Sequence, residues 1–123
     1  MTNYAFVFES NDIFAIIGRG LVFRGQVVMG TASKGDYITI LGSEGFISGT
    51  IAAIEKDRRL IDHAVLGVEI SILLTNLTNK KLEHMIHTSH INENDYPLQD
   101  SYQQLLGISM PARLVIDGNQ GDA

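Results

Sequence analysis

The chain contains no cysteine, no tryptophan and only two prolines among its 123 residues. Without cysteine there are no disulfides, no thiolate chemistry and no cysteine-based zinc sites. No apolar run approaches the roughly 18 residues needed to span a membrane. The N-terminus, Met1 to Ser10, has no basic region followed by a long apolar stretch, so no signal peptide is expected and the expected compartment is the cytoplasm. Positive charge is also scarce. Nine Lys and Arg stand against 14 Asp and Glu, a formal charge of −5. A domain that lives by non-specific phosphate contacts carries a basic excess, so this balance argues against autonomous, non-specific nucleic-acid binding while leaving room for a local basic patch.

What is present is apolar content, at 45 % enough to build a sizeable core in one domain without staples. The chain is organised around Ile13 to Asp36. Phe14, Ile16 and Ile17 precede a Gly18-Arg19-Gly20 corner, and Leu21, Val22, Phe23, Val27 and Val28 follow it. The two glycines permit positive φ on either side of Arg19. Gly25 inside the second apolar run predicts a bulge or a close backbone approach. Tyr4 to Glu9, with aromatics at alternating positions, reads as a strand ending in a Ser10-Asn11-Asp12 turn, and Ile13 to Ile17 as the next. Further strands are expected at Leu21 to Met29, Tyr37 to Leu41, Phe46 to Glu55 and Val68 to Leu74, with Leu60 to Ala64 a short strand or turn. Lys56 to Arg59 is a charged link.

From about Thr78 the pattern changes. Asn79 to His87 predicts a short helix with Leu82, Met85 and Ile86 on its apolar side. Leu98, Tyr102, Leu105 and Leu106 recur at helical spacing after Pro97, with Gly107 as a terminator. Pro111 to Ile116 reads as one more edge strand. The expected class is all-β: a small closed barrel of Greek-key type with a short α-helical C-terminal extension. Residues 1–77 would form the barrel, 78–116 a helical and strand extension packing on it or on a neighbouring chain, and 117–123 a disordered tail.

The stretch Phe14 to Val27 resembles the opening of the second, β-barrel domain of elongation factor Tu and related translation GTPases, whose pattern is roughly Phe-x-Ile-x-Gly-Arg-Gly-Thr-Val-x-x-Gly-x-Val. Leu21 stands where that family often has threonine. Gly30 with Gly35-Asp36, then Ile54-Glu55, then Gly67 to Leu74 match later motifs in order, with Ser71 in place of a frequent glycine. The resemblance covers residues 4 to 77; residues 78 to 123 have no counterpart in it. The phosphate loop and the guanine-reading motif of a GTPase are both missing, so GTP binding and hydrolysis are not expected. In elongation factor Tu this domain helps to hold the aminoacylated 3′ end of tRNA, and in relatives it touches the ribosome. The resemblance implies an adenine pocket at Phe14, Val22, Glu55 and Arg58, with Leu73 nearby and Arg19 at the corner. Glu69 stands where the family's amino-acid pocket tends to carry asparagine, and its charge would repel phosphate.

Each candidate has a plainer alternative. Phe14 and Val22 serve equally as core residues, and Glu55 with Arg58 as a surface ion pair. Arg19 and Arg24 would meet a phosphate or a partner carboxylate, or else simply pair with Asp12 or Glu9. His84 and His87 share a helix face, as metal ligands do, but His90 is turned away, and their spacing is no ligand signature. Ser43, Ser48 and Ser71 lack a Gly-x-Ser-x-Gly context, and no carboxylate pair declares itself. The expected function is a non-catalytic, cofactor-free binding module that docks a protein partner or forms homo-oligomers through Leu98, Tyr102, Leu105 and Leu106. The alternatives are an RNA 3′-end binder using the barrel pocket and, third, a metal protein or enzyme using the tail histidines.

Overall fold

The computed structural model describes residues 3–16, 18–67, 69–88, 103–104 and 106–118. The strands are β1 (Tyr4–Ile16), β2 (Gly20–Gly30), β3 (Ala32–Ser33), β4 (Tyr37–Ile40), β5 (Ser48–Lys56), β6 (Arg59–Ile61), β7 (His63–Ala64), β8 (Glu69–Thr75) and β9 (Ala112–Asp117), with one helix, α1 (Lys80–Thr88), between β8 and β9. The main sheet runs β4-β9-β1-β2-β8-β5-β6, and an added β4–β5 pairing closes it. Each pairing is antiparallel. The result is the expected all-β barrel, with β6 appended to β5 and β3–β7 forming a separate small ribbon.

Period-two alternation decides which side chains enter the barrel. Phe6 and Phe8 of β1, Leu21 and Phe23 of β2, Ile38 and Ile40 of β4, and Ile70, Ile72 and Leu74 of β8 are all nearly or fully buried in one cluster. Leu114 joins them from β9. The last strand is therefore not at an edge, as its sequence suggested. It is hydrogen-bonded to β1 on one side and β4 on the other. A boundary at residue 77 would remove the strand that closes the ring. Residues 117 and 118 are also held, since Asp117 pairs with Tyr4 and the Gly118 amide donates to the Asn3 carbonyl at 2.9 Å; residues 119–123 of the expected tail lie outside the described residues.

The predicted Ser10-Asn11-Asp12 turn is instead a bulge in one continuous strand. The register between β1 and β2 slips between Ser10 and Asp12, and fully buried Ser10 lies with its hydroxyl 2.8 Å from the Asp12 carbonyl and 3.0 Å from that of Arg24. Polar groups at a bulge satisfy backbone that the ladder leaves unpaired. Gly25 faces this bulge in the close approach expected of it: a Cβ there would lie 2.0 Å from the Glu9 carbonyl oxygen. At the Gly-Arg-Gly corner the two glycines do different work. Gly18 has φ of 79°, whereas Gly20 is extended within β2 and is required because a Cβ would meet the Leu74 carbonyl oxygen at 2.1 Å.

One end of the barrel is closed from outside the sheet. Leu77 and, from α1, Leu82 and Ile86 join the core cluster, and so does Leu106. The helix starts at Asn79, whose Oδ1 accepts from the Leu82 amide at 3.0 Å. Gly107, with φ of 72°, ends the helical turn before it as predicted; the Ile108 amide donates to the Gln103 carbonyl at 3.0 Å. Leu106 is fully buried and its carbonyl accepts from the Glu44 amide at 2.9 Å. That contact is intramolecular, so Leu106 offers no surface for the oligomer or partner contact assigned to it. Leu98, Tyr102 and Leu105 lie outside the described residues.

Candidate functional site

The outward face of β1, β2, β8 and β5 carries the residues singled out from the sequence. The register aligns Phe14 with Val22, Val22 with Leu73, and Leu73 with Ala53. Four strands thus contribute one apolar row. The adjacent row on the same face aligns Asp12, Arg24, Ser71, Glu55 and Leu60 in turn across β1, β2, β8, β5 and β6. Directly opposed residues on one face are in side-chain contact range, so the two rows make an apolar strip beside a polar one.

This face is concave. An open cleft of about 430 Å³ is lined by Phe14, Ile16, Arg19, Val22, Arg24, Ala53, Glu55, Leu60, Ser71 and Leu73. Its floor is Val22 and Leu73, 5 % and 6 % exposed, and its walls include Phe14 at 37 % and Leu60 at 76 %. None of these four belongs to the barrel's core cluster. Val22 is buried, as the core reading expected, but on the outward face of the sheet and apart from the central cluster, while Phe14 beside it is partly exposed. A second, more polar cavity of about 330 Å³ adjoins it, lined by Arg24, Glu55, Asp57, Arg58, Glu69, Ile70 and Ser71. Arg24, Glu55 and Ser71 border both.

Phe14, Arg19, Val22, Glu55 and Leu73 are thus brought together, and Arg58 lies next door. Arg58 is placed by the turn between β5 and β6. Lys56 pairs with Arg59, leaving a two-residue loop in which Asp57 and Arg58 have φ of 51° and 65°. Positive φ at both central positions is the pattern of a type I′ hairpin, whose twist matches that of the strands. Arg19 is held at the corner, its amide donating to the Ile16 carbonyl at 2.9 Å.

Glu9, one of the acids considered for the arginines, instead faces Arg113 across β1 and β9 at 3.5 Å. Asp12 does stand opposite Arg24 in register. Ser43 is structural: its hydroxyl donates to the Ile40 carbonyl at 2.7 Å and accepts from the Ile47 amide at 2.8 Å. Ser48 shares a 2.8 Å hydrogen bond with Thr39. His84 is exposed on α1, while the side chain of His87 and all of His90 lie outside the described residues. Among the described residues no three His, Asp or Glu side chains cluster as a metal site would require, and no helix is long and apolar enough to cross a membrane. Arg24, Ser71 and Leu60 were not among the residues assigned to the site. Their outward parity was readable; their alignment with Glu55 depends on pairings between distant strands.

No family model matches the chain. Among solved structures the chain is similar to the bacterial selenocysteine-specific elongation factor EF-Sec, with a TM-score of 0.54 and 20 % identity. What the two share is an all-β, barrel-like fold. The match covers 65 % of this chain and 13 % of the factor's length, so the chain corresponds to a small part of that protein. At this identity the likeness is one of fold.

Proposed function

We propose that this chain is a non-catalytic binding module of the kind represented by the second domain of elongation factor Tu, and that the cleft on β1, β2, β8 and β5 is its binding site, taking the unpaired 3′ end of an RNA strand. The observation that carries this reading is the row Phe14–Val22–Leu73–Ala53 lying beside Arg24–Ser71–Glu55. An unstacked base is bound by an aromatic or aliphatic surface with a hydrogen-bonding group at its edge. Phe14 and Leu60 supply partly exposed apolar walls, Val22 and Leu73 the floor, and Glu55 an acceptor for an exocyclic amine.

The chain's overall acidity is compatible with this, because the cations at the cleft are arginines, Arg19 and Arg24, with Arg58 in the adjoining cavity. A guanidinium fork grips a phosphate bidentately, so a few well-placed arginines give local attraction without a basic surface. Such a ligand belongs to translation, and with it the cytoplasm, tRNA and the ribosome as partners. The protein-docking role expected first from the sequence draws on Leu98, Tyr102 and Leu105, which lie outside the described residues, and on Leu106, which is buried. The cleft is lined wholly by described residues, and its chemistry supports the RNA-end reading. Titrating a short fluorescent single-stranded RNA ending in CCA tests the proposal. Saturable binding that Phe14→Ala weakens by about tenfold supports it. No binding, or binding indifferent to Phe14, overturns it.

A further inference from the structure

The two adjoining cavities differ in charge. The apolar cleft is bordered by two arginines, Arg19 and Arg24, against one carboxylate, Glu55. The polar cavity is bordered by two arginines, Arg24 and Arg58, against three carboxylates, Glu55, Asp57 and Glu69. One end of the site therefore favours an anion and the other disfavours it. The register fixes how close these ends are. Arg24 stands opposite Ser71, and Glu69 lies two residues before Ser71 on β8, opposite Gln26. Arg24 and Glu69 are thus diagonal neighbours on one sheet face, with Cα atoms about 7–8 Å apart. That is comparable with the sugar-phosphate length of a single nucleotide.

We infer that the site imposes a direction on a bound RNA end, with a phosphate at Arg24 and the terminal ribose hydroxyls beside Glu69, and that Glu69 excludes a strand that ends in a phosphate. The inference rests on the RNA-end reading of the cleft and adds to it the chemistry of the terminus. Guanidinium groups make charge-assisted bonds to phosphate oxygens. Carboxylates accept from ribose hydroxyls, as acidic residues do in dinucleotide sites. A terminal phosphate placed among Glu55, Asp57 and Glu69 would face like charge, which is how binding sites reject a wrong partner. With Arg24 already engaged by the preceding phosphate, only Arg58 would be left to offset three carboxylates.

The test uses two short RNAs of one sequence, ending in a free 3′-hydroxyl or in a 3′-phosphate, against the full chain, Glu69→Gln, Arg24→Gln and Phe14→Ala. The unsubstituted chain is expected to bind the hydroxyl end at least about tenfold more tightly than the phosphate end. Glu69→Gln should bring the two within about twofold by admitting the phosphate, and Arg24→Gln should weaken the hydroxyl-ended strand by about tenfold. Both substitutions are on exposed positions, and thermal unfolding confirms that each variant is folded. Equal affinities for the two ends, with binding still lost in Phe14→Ala, would overturn this inference and leave the cleft's RNA reading standing. Discrimination that survives in Glu69→Gln also overturns it. Failure of the unsubstituted chain to bind either RNA overturns both.

Discussion

The backbone amide of Gly18 donates to the carbonyl oxygen of Ile86 at 2.9 Å. This bond ties the corner between β1 and β2 to the last turn of α1. The corner carries Arg19, and Ile16 precedes it, so the helix is connected through one hydrogen bond to two residues that line the cleft. Helix carbonyls in the last turn have no partner within the helix, and here the corner supplies one.

Ile86→Ala should therefore do more than weaken the core. The side chain is 3 % exposed, and its truncation is expected to cost about 2–5 kcal/mol in urea unfolding. Hydrogen exchange separates the local effect from the global one. The Gly18 amide should speed up by more than the loss of overall stability accounts for, because its acceptor is loosened. A uniform shift of all protected amides would show that α1 does not hold the corner.

Gly25→Ala tests the bulge. The added methyl would meet the Glu9 carbonyl oxygen at 2.0 Å and the Ser10 Cα at 2.8 Å, and both are backbone atoms that cannot rotate away. A loss of about 3 kcal/mol or more is expected. Gln26→Ala, one residue on and exposed, should stay within about 0.5 kcal/mol. Similar urea midpoints for the two variants would contradict the close approach of β1 to β2.

The strands of the barrel were legible because apolar, β-branched and aromatic runs such as Phe6-Val7-Phe8 and the alternation in Ile70-Ser71-Ile72 are local properties. In Leu21-Val22-Phe23, by contrast, all three residues are apolar and only the fold decides that Val22 faces outward. Glycines marked the turns for the same reason. Ser10 to Asp12 was misread because a polar triplet signals a turn when it is exposed, and nothing local says that Ser10 is buried against Arg24 across the ladder. The place of β9 between β1 and β4 is a choice of partner made over most of the chain's length, and no periodicity encodes it. The cleft shows the same division. Phe14, Val22, Glu55 and Leu73 came from motif resemblance, whereas Arg24 and Ser71 join them only through the cross-strand register.

Asn79→Ala removes the side-chain acceptor of the Leu82 amide at the start of α1. A capping asparagine contributes about 1 kcal/mol, so the urea midpoint should fall by that equivalent. Asn79→Asp should restore it, since a carboxylate accepts the same bond and complements the positive end of the helix dipole. Equal stability in all three proteins would mean that the barrel end, rather than the cap, holds the helix start.

Stability and binding should move in opposite directions at Arg58. The residue sits in the second central position of the β5–β6 turn at φ of 65°, where a side chain other than glycine carries a cost of about 1–2 kcal/mol. Arg58→Gly relieves that cost in a turn type that favours glycine, so the urea midpoint should rise by about 1 kcal/mol. The same change takes a guanidinium from the polar cavity, and affinity for a 3′-hydroxyl RNA should fall by about tenfold. Arg58→Lys separates the two effects: it keeps the backbone cost and the charge but loses the fork, and so should be no more stable than the parent and intermediate in affinity. If Arg58→Gly instead destabilises the barrel, the arginine is a structural part of the hairpin. If it stabilises without loss of RNA affinity, the positive φ is not held there for binding, and the polar cavity recognises its ligand without Arg58.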